Sequence, residues 1–336
     1  MRLSFKIWIT MKDFDKQIEE QQVAWRKLHI ATGELGIQNG KKRPWILPQY
    51  LWIEGLWEPI RKTLPIYLET EQVQRHKGCH NLKSSWMLCA NLYFPFKDDL
   101  PLLTSFLRSN VDPTIETVDR IELEYAEDGE LCPSQLLGEP EGSRGANQTS
   151  PDIAFIVNNG KGLVLTENKY TEHSFYECSG RKYSPDPKRC LDIQSVLEDT
   201  ENTCYQLQWE KDGRPNRKYW DYLKISDYGK ENLKRCPAAY SGCQLFRQQA
   251  LTEAIAQSGK YNFVISCVAY DHNNQTLANC LKPTGLYHFS DWGKLFNGKA
   301  KFSTFTHQQW VKWVRQNDSN GHWKEWLQYI NQRYGY

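Results

Sequence analysis

A short β-hairpin near the middle of the chain constrains the fold more than any other sequence feature. Two apolar runs, Ile153–Val157 and Leu163–Leu165, are separated by the five residues Asn158–Gly162. An Asn-Gly pair tolerates the positive φ angles of a tight primed turn, so the two runs are expected to pair as antiparallel strands. If Asn159 and Gly160 are the central residues of the turn, the register of both strands is fixed.

This register predicts that Asp152 lies directly opposite Glu167, with Cβ atoms ~4.5–5.5 Å apart. Lys169 follows two residues later, so its side chain lies on the same face as that of Glu167. Two carboxylates this close repel each other unless a cation lies between them. Mg²⁺ (or Mn²⁺) takes oxygen ligands and keeps several waters, so we expect Asp152, Glu167 and the backbone carbonyl of Asn168 to hold it. The alternative is an ordinary hairpin with a surface salt bridge.

The order of elements predicts an α/β fold with a partly antiparallel sheet. Helical periodicity covers Lys12–His29, Leu51–Arg75 and Asn81–Tyr93, and strand-like alternation covers Ile115–Tyr125 before the hairpin. After the hairpin, the sequence predicts a helix over Gly242–Gln257, a buried strand over Tyr261–Tyr270 and a Trp-rich helical C-terminal third.

Composition excludes several classes of protein. The 336 residues are 40% apolar and 24% charged, which is typical of a globular protein with a sizeable core and not of a disordered chain. No apolar run approaches the ~18 to 20 residues of a membrane span, and the first thirty residues lack a signal-peptide pattern. The ten cysteines are then expected to be reduced thiols or metal ligands in a cytoplasmic protein. The net charge of +2 does not by itself indicate a nucleic-acid binder.

These residues resemble the PD-(D/E)xK nuclease superfamily, in its prokaryotic restriction-endonuclease-like branch. Pro151-Asp152 with Glu167-Asn168-Lys169 matches the superfamily motif, and Arg144–Asp152 is similar to that branch's run into the catalytic aspartate. Asn81–Phe96 looks like the helix before the sheet, and Gln244–Arg247 resembles the glutamine-bearing helix. The resemblance covers roughly residues 51–271 and implies an α-β-β-β-α-β core with a mixed sheet and helical N- and C-terminal additions.

The resemblance also implies roles for individual residues. Asp152 and Glu167 become metal ligands, Lys169 the catalytic lysine, and Gln244 a residue that contacts substrate or water. The implied activity is Mg²⁺-dependent cleavage of DNA, sometimes RNA. An additional acidic residue often assists in this superfamily, and the nearby candidates are Glu122 and Glu124.

A cysteine-rich, basic insertion is expected at residues 173–241. Cys178, Cys190, Cys204 and Cys236 are the candidate ligands of a Zn²⁺ ion or an iron–sulfur cluster, although no CxxC pair is present and the thiols could instead fill a small core. Basic side chains can contact phosphates and aromatic rings can stack on unpaired bases; here they are Arg181, Lys182, Lys188, Arg189, Arg214, Arg217, Lys218, Lys230, Lys234 and Arg235, with Tyr183, Trp209, Tyr219, Trp220 and Tyr222. A solvated loop is the alternative.

Three segments are predicted: a helical segment at 1–75, the nuclease core at 76–275 and a Trp-rich helical segment packed on the core at 276–336. The resulting hypothesis is a metal-dependent endonuclease that acts on DNA in prokaryotic restriction or anti-phage defence, working as a homodimer or within a defence complex. Two alternatives are a nucleic-acid-binding protein without catalysis and a subunit that senses metal or redox state through its cysteines.

Overall fold

A five-stranded mixed sheet lies at the centre of the computed structural model, which describes residues 13–182, 186–200, 204, 206–207 and 216–336. Its strands, in spatial order, are β1 (Val118–Leu123), β2 (Ile153–Val157), β3 (Gly162–Lys169), β4 (Phe263–Tyr270) and β5 (Lys301–Thr306). The first three strands are antiparallel neighbours, whereas β3, β4 and β5 run parallel. The predicted α/β class with a mixed sheet is therefore confirmed.

Helices cover both faces of this sheet. The α-helices are α1 (Phe14–His29), α2 (Thr63–Thr70), α3 (Ser85–Tyr93), α4 (Leu100–Asn110), α5 (Pro133–Leu137), α6 (Ser179–Lys182), α7 (Ile193–Glu198), α8 (Tyr219–Tyr222), α9 (Asp227–Asn232), α10 (Cys243–Ser258), α11 (Gln275–Ala278), α12 (His307–Asn317) and α13 (Lys324–Tyr334). Short strand pairs join Gly36–Gln38 to Lys41–Arg43 and Lys224–Ile225 to Phe296–Asn297.

Alternate residues of the hairpin strands enter two different cores. Ile153, Phe155 and Val157 face a core shared with α3, α4 and the Trp-rich helices α12 and α13. Ala154 and Ile156 face a second core shared with α10 and the insertion. Strands whose two faces are both covered by helices read as continuous apolar runs, and this explains the apolar character of both hairpin strands.

Several sequence predictions differ from the structure in extent. The helix expected over Leu51–Arg75 is interrupted: 3₁₀ turns span Gln49–Gly55 and Glu58–Ile60 before α2 begins. Pro59 has no N–H to donate and would clash with the preceding turn, so a helix running through it would be kinked or broken. The helix expected from Asn81 begins only at Ser85, because the Asn81 side chain accepts a hydrogen bond from the Lys83 N–H in a local turn.

The structure also contains elements that the sequence did not predict, α4 and β5. The division into three segments stays a prediction; one apolar core includes residues from all three, among them Leu56, Phe155 and Trp326. Within the described ranges, no helix combines the length and the apolar character needed to cross a bilayer.

Candidate active site

The hairpin has the register that its turn predicts. Ile153 pairs with Thr166 and Val157 with Gly162, so the next residues outward, Asp152 and Glu167, lie across from each other. Asn159 and Gly160 have φ angles of 56° and 73°, as a primed turn requires. The backbone N–H of Asn168 donates to Oδ2 of Asp152 at 2.7 Å. This contact orients the carboxylate of Asp152 toward the end of β3.

Lys169 is buried at the point where β3 ends. Its Nζ donates to Oε1 of Glu167 at 2.7 Å and to Oε1 of Gln244 at 2.8 Å, and the residue is only 3% exposed. Burial by itself would lower the pKa of Lys169, but the carboxylates of Glu167, Glu172 and Asp152 outweigh it and raise the pKa above its ordinary value. The amine is therefore an ammonium at neutral pH.

A third carboxylate joins the opposed pair. Glu124 follows the end of β1 with a left-handed backbone (φ 48°), and its N–H donates to the backbone oxygen of Asp152 at 3.0 Å. Its side chain is buried, and burial together with the charges of Asp152 and Glu167 raises its pKa well above the ordinary value. Burial and the charge of Glu167 likewise raise the pKa of Asp152. Ionisation of all these carboxyl groups together therefore costs free energy unless a positive charge lies near them.

These groups line one cleft of about 530 Å³ between α3, the loop 143–150 and the start of α10. Asp152, Glu167, Lys169 and Gln244, predicted as site residues, all line it, together with Glu124. Glu122 is not among its lining residues and instead forms ion pairs with Arg120 and Arg144. Asn168 contributes its backbone to the site, while its side-chain amide donates to the Ser85 carbonyl oxygen.

The glutamines of α10 have separate tasks. Gln244, on the first turn of the helix, contacts the ammonium of Lys169. Gln248, one turn later, donates to the backbone oxygens of Leu165 and Cys267, at 3.1 and 2.9 Å. Gln248 therefore attaches the helix to the sheet, whereas Gln244 reaches the cleft.

His307, at the start of α12, is a site residue that sequence reasoning missed. Its Nε2 lies 2.9 Å from the backbone oxygen of Lys169, and its Nδ1 lies 3.4 Å from the hydroxyl of Tyr93. A carbonyl oxygen can only accept, so Nε2 carries the proton and Nδ1 accepts from Tyr93. The sequence Thr306-His307-Gln308-Gln309 does indicate the start of this helix, because Thr306 and Gln309 form a capping box.

The cysteines of the insertion are free thiols in the structure. Cys178 forms a side-chain hydrogen bond with Cys243, a residue outside the predicted quartet. This hydrogen bond lowers the pKa of the Cys178 thiol to about 7. Over the ranges 13–182, 186–200, 204, 206–207 and 216–336, no group of three or more His, Cys, Asp or Glu side chains is arranged to hold a metal ion. The structure thus lends no geometric support to a site formed by Cys178, Cys190, Cys204 and Cys236, which stays a prediction.

The basic residues of the insertion are only partly described. Tyr183, Trp209 and Arg214, together with the side chain of Lys182, lie outside the described residues. Arg181 pairs with Glu177, Arg189 with Asp186 and Lys230 with Asp227. These pairs reduce the positive charge that the segment offers to a polyanion, and the contact of the insertion with nucleic acid stays a prediction.

The chain is similar to one known family. A family model described as Restriction Endonuclease associating with ARP matches residues 17–335, a range that includes the hairpin, Gln244 and His307. No curated protein and no solved structure matches the chain significantly. The match confirms the expected relation to restriction endonucleases, while the assignment to the PD-(D/E)xK superfamily stays a prediction.

Proposed function

The chain belongs to the family of restriction endonucleases associating with ARP, and from this premise we propose that it is a metal-dependent endonuclease that hydrolyses DNA phosphodiester bonds. The family description indicates a nuclease-related role in defence. The observation that carries the proposal is the convergence of Asp152, Glu167, Lys169 and Gln244 on one cleft, with Lys169 within 2.8 Å of both Glu167 and Gln244.

The proposed site for a hard divalent cation uses two side chains and one backbone carbonyl, so it does not require the group of three side-chain ligands that the described residues lack. Asp152 and Glu167 each use one carboxylate oxygen in a described hydrogen bond, to Asn168 and Lys169, which leaves each with a second oxygen for a cation. With the Asn168 carbonyl they would supply three oxygen ligands, few enough for Mg²⁺ to keep waters and bind a phosphate.

The charge of the cleft supports the same conclusion. Four carboxylates line it, namely Glu124, Asp152, Glu167 and Glu172, whereas its lysines are Lys83 and Lys169. Lys83 is itself paired with Asp15 and Glu19. A phosphodiester would be repelled from such a cleft until a cation offsets the surplus negative charge.

The residues then divide the work of hydrolysis. When bound, the cation would supply Lewis-acid polarisation of the phosphate and a more acidic water. Lys169 stays an ammonium, so it does not act as a base; it donates hydrogen bonds to the attacking water or to a phosphate oxygen that gains charge in the transition state. Gln244 holds the Lys169 side chain in position and offers its amide N–H groups to the same phosphate.

The family description names ARP, and we propose that the protein acts together with ARP in a complex. Binding to a partner would supply the activating signal or the target choice that a defence nuclease needs. Co-purification with ARP tests this part independently of cleavage, because an intact complex can form around a catalytically inactive variant.

Supercoiled plasmid nicking tests the catalytic proposal. We expect cleavage in Mg²⁺ and none in EDTA, with Glu167→Gln and Lys169→Met slowing the rate by about 100-fold or more. The matched controls are Glu116→Gln and Lys161→Met, which change exposed residues of the same types. Parallel reactions with single-stranded RNA of matched sequence distinguish the nucleic acid. Cleavage that survives EDTA, or that all four substitutions leave unchanged, rejects the assignment.

A further inference from the structure

A second cavity adjoins the catalytic cleft. It has a volume of about 500 Å³ and lies between the loop 143–150, residues 176–179 and α10. Asn147, Gln148, Tyr176 and Gln244 line both this cavity and the catalytic cleft. A strand of substrate bound in the cleft would therefore have open space beside the nucleotide next to Lys169.

Tyr176 is held at the junction of the two cavities as an exposed aromatic ring. The residue is 50% exposed and has a φ of 61°, which is unusual for a residue other than glycine. Its neighbour Phe175 is fully buried, and Phe175 bonds through its backbone to Ser241 and Gln244 at 2.7 and 2.9 Å. The backbone carbonyl oxygen of Tyr176 accepts a hydrogen bond from the Cys243 N–H at 3.1 Å. These bonds fix the backbone, and the residue is half exposed with the Lys169 ammonium on one side of its ring.

The cavity is suited to a neutral, hydrogen-bonding ligand. Its two carboxylates are both paired, Glu139 with Arg247 at 3.0 Å and Glu177 with Arg181. Arg217 also lines it and donates to the Gly138 carbonyl oxygen. The amide side chains of Asn147 and Gln148 remain as donors and acceptors of the kind that read the edge of a base.

We propose that this cavity receives one unpaired nucleobase of the substrate strand, stacked on Tyr176 and contacted along its edge by Asn147 and Gln148. The inference rests on the proposed nuclease function and deepens it. The Lys169 Nζ lies 5.7 Å from the centre of the Tyr176 ring, so a base on that ring belongs to a nucleotide beside the phosphate that Lys169 contacts. Stacking on an aromatic ring is open to any base, since every base has a π-face.

The expected substrate follows from this placement. A base inside a duplex cannot reach the cavity without leaving its stack, which costs free energy. Nucleic acid that already contains an unpaired nucleotide at the cut position avoids that cost. The enzyme is therefore expected to prefer single-stranded, bulged or frayed sites over fully paired ones.

Fluorescent oligonucleotides test the inference without cleavage. A hairpin DNA with one bulged 2-aminopurine and the same hairpin fully paired are titrated with protein in Ca²⁺ in place of Mg²⁺, so that a divalent cation offsets the charge of the cleft. Anisotropy measures affinity and 2-aminopurine emission measures stacking. Wild type is expected to bind the bulged DNA about tenfold more tightly and to quench its emission. Tyr176→Ala is expected to lose both effects and Tyr176→Phe to keep them. Tyr287→Ala, at another exposed tyrosine lining a different cavity, is the matched control.

The outcomes separate the two proposals. If wild type cleaves plasmid but binds both hairpins equally, without quenching, the base cavity is rejected and the nuclease assignment stands. If wild type neither binds nor cleaves any nucleic acid, both are rejected. Quenching by wild type is read directly on the unmutated protein, so a failure of Tyr176→Ala to fold would not remove the test.

Discussion

The imidazole Nε2 of His307 donates to the backbone oxygen of Lys169 across a distance of 2.9 Å. The two residues are 138 positions apart in the chain. This bond ties the first turn of α12 to the end of the strand that carries Glu167 and Lys169. His307 contacts no position expected for substrate, so its role is to position the Lys169 backbone.

Replacement of His307 by Gln should change the pH dependence of stability. Burial lowers the pKa of His307, so the folded protein keeps the ring neutral while the unfolded chain takes up a proton below pH ~6.5. Wild type therefore loses stability through this group as the pH falls, and His307→Gln does not. Urea unfolding at pH 7.5 and 5.5 should show the stability advantage of wild type shrinking in acid; an advantage that grows in acid would contradict this account.

Removal of the Asp152 carboxylate should stabilise the metal-free protein. Burial and the charge of Glu167 raise the pKa of Asp152, so its ionised form costs free energy, and that cost grows as the pH rises. Asp152→Asn keeps an oxygen for the Asn168 N–H and is expected to gain about 1 kcal/mol at pH 8 in EDTA. Differential scanning fluorimetry with and without Mn²⁺ measures this.

The same experiment also measures metal binding. Wild type should gain stability on adding Mn²⁺, since ligand binding to the folded state stabilises it, and Asp152→Asn should gain little. Asp98→Asn, at an exposed aspartate, serves as the control and should respond as wild type does. An Asp152→Asn protein that is less stable than wild type in EDTA and equally responsive to Mn²⁺ would argue against a shared cation.

Truncation of Gln244 should slow cleavage more than it weakens binding. Gln244→Ala removes the partner that holds Lys169 at 2.8 Å, and loss of one such oriented group costs about 100- to 1,000-fold in rate. Nicking rates at saturating DNA, compared with Gln257→Ala at the exposed end of the same helix, measure the effect. Equal rates for the two variants would place Gln244 outside the chemistry.

Glu139 should be essential for the loop that borders both cavities. Its carboxylate accepts from the backbone and hydroxyl of Thr149 at 2.6 and 2.7 Å, from Tyr219 at 2.8 Å and from Arg247 at 3.0 Å. Glu139→Ala removes these hydrogen bonds and leaves Arg247, whose side chain is 32% exposed, without its carboxylate partner, so we expect a loss of about 2 kcal/mol. Urea unfolding measures the loss, and Glu141→Ala, an exposed neighbour, should change little.

The C-terminal tryptophans should act through packing. Trp326 is fully buried, and its Nε1 donates to the Asn91 carbonyl oxygen at 2.9 Å. Its ring lies 4.9 Å from that of Phe96 in an edge arrangement. Trp326→Ala should cost about 3–5 kcal/mol of unfolding free energy. Denaturation followed by circular dichroism measures this; a substitution that weakened DNA binding and left stability intact would indicate a base-stacking role.

The sequence predicted the hairpin and the position of its carboxylates because the turn is a local device. Asn159 and Gly160 determine the turn, the turn determines the register, and the period of two determines which side chains share a face. The position of Lys169 also followed from the period of its strand, whereas Gln244 was predicted from the resemblance of Gln244–Arg247 to the glutamine-bearing helix of the superfamily.

What the sequence left open or did not predict depends on long-range packing. The sequence offered both Glu122 and Glu124 as the additional acidic residue, and Glu124 is the one in the cleft. The chain turns there with a left-handed backbone after Leu123, a conformation that no local signal indicates for a glutamate. His307 and β5 are brought to the sheet by pairing with residues far earlier in the chain. The helix expected at Leu51–Arg75 failed for the opposite reason: a visible proline outweighed the apolar periodicity.

The strand β3 has an antiparallel neighbour on one edge and a parallel neighbour on the other. Its backbone is therefore hydrogen-bonded on both edges, and both of its faces are covered by helices. A strand held in this way is expected to keep its shape when a ligand binds. We expect any adjustment to different ligands to come from the segments around Asn147 and Tyr176, while the acidic pair and the lysine keep a constant spacing.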